Sequence, residues 1–235
     1  MRNDAPSPVH GYLPSPSLAD YPGHLAAVLF TAGCNFRCGF CHNAALLAER
    51  REGIPWSSLA EQCRRWRDEW VDAAVITGGE PTLAVHLGEL IAFLKGFGWK
   101  VKLDTNGSRP EVLRECVKTV DYVAMDIKAG LRQYEAVTGY DNPERIAESM
   151  AIIREQAADY EFRTTVVDSI HSDGEMAEIG RLVRGARRYI IQPFVPKNDL
   201  PDVSLRTTPR TSRDRLRALA GQLQGTADCV SVRGA

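Results

Sequence analysis

Six short strand-like runs, each followed by a helix-like pattern, restrict this chain more than any other feature. They cover residues 25–31, 73–77, 100–104, 122–128, 161–167 and 188–192. Helical patterns are expected over 44–50, 57–70, 82–97, from Pro110, over 143–156, from Asp173 and over 211–223. In the second of these, Leu59, Cys63, Trp66 and Trp70 recur at helical spacing and predict a buried stripe. Strands alternating with helices predict a parallel sheet with right-handed crossovers. Six units lie between an open doubly wound sheet and an eight-unit barrel, and periodicity alone does not choose between them. In either architecture, chemistry belongs at the carboxyl ends of the strands.

A length of 235 residues suits one large domain, and 44% hydrophobic with 25% charged residues is a globular balance. That excludes disorder or a membrane-embedded body for the chain as a whole. Twenty-nine basic against 30 acidic residues leave no charge excess for non-specific nucleic-acid or membrane-surface binding. Residues 1–20 contain Pro6, Pro8, Pro14 and Pro16 and no apolar run fit for a signal sequence, so a cytoplasmic location is expected. In a reducing compartment the six cysteines are expected to be metal ligands, catalytic groups or buried small hydrophobes rather than disulfides.

Three of them, Cys34, Cys38 and Cys41, fall within eight residues directly after the first strand. Thiolates are the usual ligands of iron–sulfur clusters. No fourth cysteine follows at a suitable spacing, because Cys63 and Cys116 lie in helical patterns and Cys229 is remote. A four-iron cluster on three thiolates keeps one iron open for substrate or cofactor, as an open position marks a catalytic zinc. The alternatives are a zinc knuckle with His42 as fourth ligand, or inert buried cysteines. Zinc more usually shows two separated ligand pairs, and inert cysteines have no reason to cluster in a Gly-flanked loop.

Strand alternation adds a second constellation. Ala124, Asp126 and Lys128 share one face of their strand and Val123, Met125 and Ile127 the other. The apolar face must meet the helices, so Asp126 and Lys128 point into the barrel. Lys102, Asp104 and Asn106 share a face of the preceding strand, and Glu161, Arg163 and Thr165 one of the next. Charges so placed need partners, from a ligand or from an internal ion network. His24 and His86 read as ordinary histidines.

With these motifs the chain resembles the radical S-adenosylmethionine superfamily, whose defining motif is CxxxCxxC. Tyr21-Pro22-Gly23, Gly78-Gly79-Glu80-Pro81, Asp104-Thr105-Asn106-Gly107 and Met125-Asp126-Ile127-Lys128 look like its glycyl-radical-enzyme activating branch. The greatest similarity, over about residues 15–200, is to anaerobic ribonucleoside-triphosphate reductase activating proteins. The resemblance implies an α/β fold, a partial (β/α)6 barrel, as a single domain over 1–235, with the barrel core at 24–195 and a C-terminal helix and tail at 205–235. It implies one 4Fe-4S cluster on Cys34, Cys38 and Cys41. It also implies S-adenosyl-L-methionine bound by Phe40, His42, Gly78, Gly79, Glu80, Asp104, Asp126, Lys128, Arg163 and Gln192. In that scheme Phe40 and His42 lie near the adenine, Gly78, Gly79 and Glu80 accept from the methionine amine, and Lys128 meets its carboxylate. Arg163 is assigned equally to ligand contact or to an inner ion pair. The implied activity is reductive cleavage of S-adenosylmethionine to a 5′-deoxyadenosyl radical, which takes hydrogen from a glycine Cα of a partner enzyme. Anaerobic ribonucleotide reductase is the expected partner, flavodoxin or ferredoxin the electron donor, and neither nucleic acid nor membrane is involved. Some relatives carry a histidine on the last barrel strand, where this chain has Gln192, which cannot titrate. Two other readings stay open: radical chemistry on a small molecule or another peptide, and a non-enzymatic cluster-binding regulator. Arg206, Arg210, Arg213 and Arg217 near the last helix read as a solvated face.

Overall fold

A computed structural model describes residues 5–47 and 52–234 of the chain. The six expected strands form as β2 (Ala26–Thr31), β3 (Ala73–Gly78), β4 (Lys100–Thr105), β5 (Tyr122–Asp126), β6 (Tyr160–Val166) and β7 (Ala186–Pro193). They are joined by β1 (Gly11–Tyr12) and β8 (Ala227–Val232). Sheet order follows chain order from β1 to β8. Only β1 runs antiparallel to its neighbour; all other adjacent pairs are parallel. Among the described residues the end strands do not pair with each other, so the sheet curls into an unclosed barrel around six βα units, as expected.

Helices α1 (Trp56–Asp68), α2 (Leu87–Lys95), α3 (Pro110–Cys116), α4 (Tyr134–Thr138), α5 (Pro143–Gln156), α6 (Asp173–Leu182) and α7 (Arg213–Gln222) connect the strands. Proline opens α3 and α5, where the missing N–H is no loss. Ser172 and Ser212 cap α6 and α7 through their hydroxyls. The main core lies between the helices and the outward strand residues, such as Leu29, Ile76, Leu103, Met125 and Phe162. A smaller cluster fills the barrel from within: Ala26, Val28, Ala73, Val75, Tyr122 and Ala124 surround Tyr21. The three inward alanines leave room for Tyr21, whose ring lies 5.6 Å from that of Tyr122. No described helix is long and apolar enough to cross a membrane.

Several expectations needed correction. The predicted helix over 82–97 is a 3₁₀ turn, Pro81–Leu83, followed by α2 after a left-handed His86 (φ 69°). The one predicted over 44–50 begins as a 3₁₀ turn, Ala44–Leu46, and residues 48–51 lie outside the described part. Leu59, Cys63 and Trp66 form the buried stripe of α1, but Trp70 is 87% exposed. The helix ends at Asp68, Trp70 takes a left-handed φ of 66°, and its N–H donates to Arg67 O while Val71 N–H reaches back to Trp66 O at 3.1 Å. That double closure turns the chain so that Val71, not Trp70, enters the core.

Candidate functional site

At the carboxyl ends of the parallel strands lies a cavity of about 310 Å³. All thirteen residues singled out in the sequence border it: the three cysteines, Phe40, His42, Gly78, Gly79, Glu80, Asp104, Asp126, Lys128, Arg163 and Gln192.

The cysteine loop follows β2 and is tied down on several sides. Gly33 turns the chain at φ 82°, its N–H donates to Leu46 O, and its carbonyl accepts from Glu80 N at 2.8 Å. Further on, Arg37 N donates to Thr138 O, and the buried Phe36 ring packs on Tyr134 and Tyr140. Cys34 Sγ accepts from Phe36 N at 3.4 Å and from Asn106 Nδ2 at 3.8 Å. Burial pushes the Cys38 thiol up to about 12 and raises that of Cys34. Metal binding must therefore displace these protons. Among the described residues no trio of His, Cys, Asp or Glu is drawn together tightly enough to hold one metal ion. His42, the alternative fourth ligand, instead hydrogen-bonds Val195 O through Nε2 at 2.8 Å.

The turn after β3 packs backbone against backbone. A Cβ on Gly78, which has φ 121°, would stand 2.3 Å from Thr31 O, and one on Gly79 would stand 2.1 Å from Gly33 O. Only glycine allows that approach. Asn43 Nδ2 donates to Gly78 O at 2.9 Å. Glu80 is fully buried, and its carboxylate faces its own turn and the end of β4. Oε1 accepts from Thr82 N, Thr82 Oγ1 and Thr105 Oγ1, and Oε2 accepts from Asn106 N at 2.6 Å. Four donors fill most of a carboxylate's capacity. The structure thus places Glu80 as the N-cap of the Pro81–Leu83 turn, linking two strand ends, rather than as a free acceptor for an amine. Burial raises its carboxyl pKa, against the pull of these hydrogen bonds.

The inward charges form a chain across the cavity floor. Lys102, 1% exposed, pairs with Asp104 at 2.6 Å; Arg163 bridges Asp104 at 3.4 Å and Asp126 at 2.8 Å; Lys128 meets Asp126 at 3.0 Å. Just past β8, Arg233 grips both oxygens of Glu161 at 2.7 and 2.6 Å. Four cations thus face three carboxylates. Burial alone would raise the Asp126 carboxyl, but Arg163 and Lys128 outweigh it and hold it well below the usual range. Burial would likewise lower Lys128, and Asp126 reverses that. The Lys128 ammonium also lies 5.9 Å over the Phe40 ring, a cation–π distance. Gln192 Nε2 donates to Thr165 Oγ1 at 2.8 Å on the far wall.

Sequence reasoning missed four residues here. His171 is buried and neutral in its contacts: Nδ1 accepts from Val167 N, and Nε2 donates to Lys128 O at 3.0 Å. It thereby holds the backbone that carries Lys128. Nothing in the local pattern marks it, nor Arg233, whose strand was not foreseen. Asp20 on the cavity wall sits in an unpatterned segment. Asn106 was read only as sharing a strand face with Lys102 and Asp104, with no role of its own.

Comparison with known proteins gives this geometry a setting. The Radical SAM superfamily profile matches residues 28–183. A Methanocaldococcus jannaschii protein, provisionally named a glycyl-radical enzyme activating enzyme, is 32% identical over 92% of each chain. The pyruvate formate-lyase-activating enzyme of Streptococcus mutans is 33% identical over 52% of each chain. Among solved structures, Streptococcus suis SuiB bound to its precursor peptide SuiA superposes with a TM-score of 0.67 at 16% identity, over 88% of this chain. This chain spans 48% of SuiB, about half its length, so that likeness speaks for the fold alone. Members of the superfamily bind a 4Fe-4S cluster and S-adenosylmethionine. Three thiols bordering the cavity, with no fourth donor beside them among the described residues, fit such a cluster, and Lys128 and Arg163 on the same cavity fit a ligand carboxylate. With the profile spanning β2 to α6 and a relative matched nearly end to end, the chain belongs to the radical SAM superfamily.

Proposed function

We propose that this protein is an activating enzyme that installs a glycyl radical on a partner enzyme, most specifically an anaerobic ribonucleotide reductase. The observation that carries the reading is the match to the M. jannaschii activating protein over 92% of both chains. When bound, the cluster and S-adenosylmethionine together supply one-electron reductive cleavage of the sulfonium, giving a radical that can take a glycine Cα hydrogen. Cys34, Cys38 and Cys41 hold the cluster. Lys128 and Arg163, kept charged by Asp104 and Asp126, orient the methionine carboxylate. Backbone groups of the Gly78–Gly79 turn face the amine, with Glu80 fixing that turn from behind. Phe40, His42 and Gln192, which also border the cavity, are the residues we assign to the nucleoside. Reducing equivalents come from a flavodoxin or ferredoxin.

The test is anaerobic incubation with the candidate reductase, a reductant and S-adenosylmethionine, watched by electron paramagnetic resonance for a glycyl radical. A peptide carrying the partner's glycine, deuterated at Cα, should pass deuterium to 5′-deoxyadenosine. Robust cofactor cleavage and demonstrated peptide binding without deuterium transfer would move the reading to a small-molecule substrate.

A further inference from the structure

We infer that Asn106 is a positioning residue for the cluster, its side-chain amide donating to the Cys34 sulfur and raising the potential at which the cluster accepts an electron. The inference rests on Cys34 holding a cluster iron, and not on the identity of the substrate.

The amide's orientation follows from its neighbours. Ser108 N–H, a donor only, lies 2.9 Å from Asn106 Oδ1. The opposite end must therefore be the NH₂, and it faces two acceptors, Asn35 Oδ1 at 3.1 Å and Cys34 Sγ at 3.8 Å. Asn35 Oδ1 is itself held by Ser108 Oγ at 3.2 Å, so the amide cannot swing away without losing several partners. The backbone of Asn106 is pinned by Glu80, whose buried carboxylate takes its N–H at 2.6 Å. A path of hydrogen bonds thus runs from Glu80 through Asn106 to the first cysteine. It also singles out one ligand. Cys34 Sγ receives two donors, Phe36 N and Asn106 Nδ2, whereas no hydrogen bond to Cys38 or Cys41 sulfur is seen among the described residues.

Reduction adds negative charge that spreads onto the sulfurs. An N–H aimed at a sulfur stabilises the reduced form more than the oxidised one, and hydrogen bonds to cluster sulfurs are a recognised lever on potential. Ser108 N and Asn35 Oδ1 hold the amide and Glu80 holds its backbone, so the donor's effect is not dissipated by rotation of the amide.

Wild type, Asn106→Asp and Asn106→Ala, each reconstituted anaerobically, would be assayed for iron and titrated electrochemically with paramagnetic resonance detection, without partner or substrate. The aspartate keeps the Oδ1 acceptor for Ser108 and replaces the donor by a carboxylate oxygen; the alanine removes both. With normal iron, both variants should be harder to reduce, the reduced-to-oxidised ratio at fixed potential falling by up to about tenfold, or about 59 mV for one electron. The aspartate should shift further than the alanine. An unchanged potential in either iron-replete variant overturns the inference. Loss of iron in both, with the apoprotein melting as wild type does, overturns it too, because Asn106 would then support the loop rather than tune the cluster. A wild type that binds no iron would instead defeat the functional reading above.

Discussion

Lys128 has one ion partner, Asp126, and one aromatic neighbour, Phe40, and otherwise faces the cavity. Lys128→Ala should leave iron content normal and weaken S-adenosylmethionine binding about ten- to a hundred-fold, the worth of one charge-assisted contact. Equilibrium binding measures this, and unchanged affinity would make Lys128 part of the scaffold. Alanine at Cys34, Cys38 or Cys41 should abolish the cluster, whereas alanine at Cys63 or Cys116, both buried in helices, should keep it and cost about 1 kcal/mol of stability. Full iron in Cys38→Ala would refute the ligand assignment. What is legible at this scale is set by strand geometry. Side chains on a strand alternate strictly, so the residue pattern alone assigns Asp104, Asp126 and Arg163 to inner faces, while Lys128, two residues past the end of β5, reaches the same cavity through its pairing with Asp126. Glu80 and Asn106 sit one or two residues beyond their strands, where alternation lapses and turn geometry aims the side chain. That is why Glu80, expected to face a ligand, instead faces Thr82 and Thr105.

Among the elements, the six core strands were legible because β2, β3 and β5 are mostly apolar, while β4 and β6 set apolar residues on one face against polar ones on the other. β1 has only two residues, and β8 (ADCVSV) is a half-polar edge strand, so neither carried a pattern. Arg233, which completes the ion network, was hidden with β8. The glycines offer a test of how tightly elements meet. Gly79→Ala must force a Cβ against Gly33 O and should destabilise the apoprotein by about 2–3 kcal/mol in urea unfolding. Gly88→Ala, on the exposed first turn of α2 with nothing within 4 Å, should stabilise it by about 0.5–1 kcal/mol. Similar effects at the two sites would contradict the backbone packing described for the β2–β3 ends.

Over the whole molecule, the buried charges set the response to acid. Asp104, Asp126 and Glu161 all have carboxyls held below their usual range, burial being outweighed by Arg163, Lys102, Lys128 and Arg233. Carboxylates depressed in the folded state stabilise it above the unfolded pKa of about 4, and that stability is lost as pH falls. The melting temperature should therefore hold between pH 7 and 5 and drop steeply below about pH 4; a flat profile would mean the network is not ionised as described. A sheet whose order repeats the chain's order has one more consequence, for the protein's synthesis. Each strand emerging from the ribosome finds its neighbour already made, so pairing can proceed vectorially with little need to wait. The cysteine loop is the exception. Its Asn106 donor lies 72 residues after Cys34, and Arg233 lies 72 residues after Glu161. At roughly 5–20 residues per second, Cys34 is translated some 4–14 seconds before its partner just past β4. For that interval the Cys34 thiol lacks its Asn106 donor, which makes timing, as much as affinity, a condition for correct metallation.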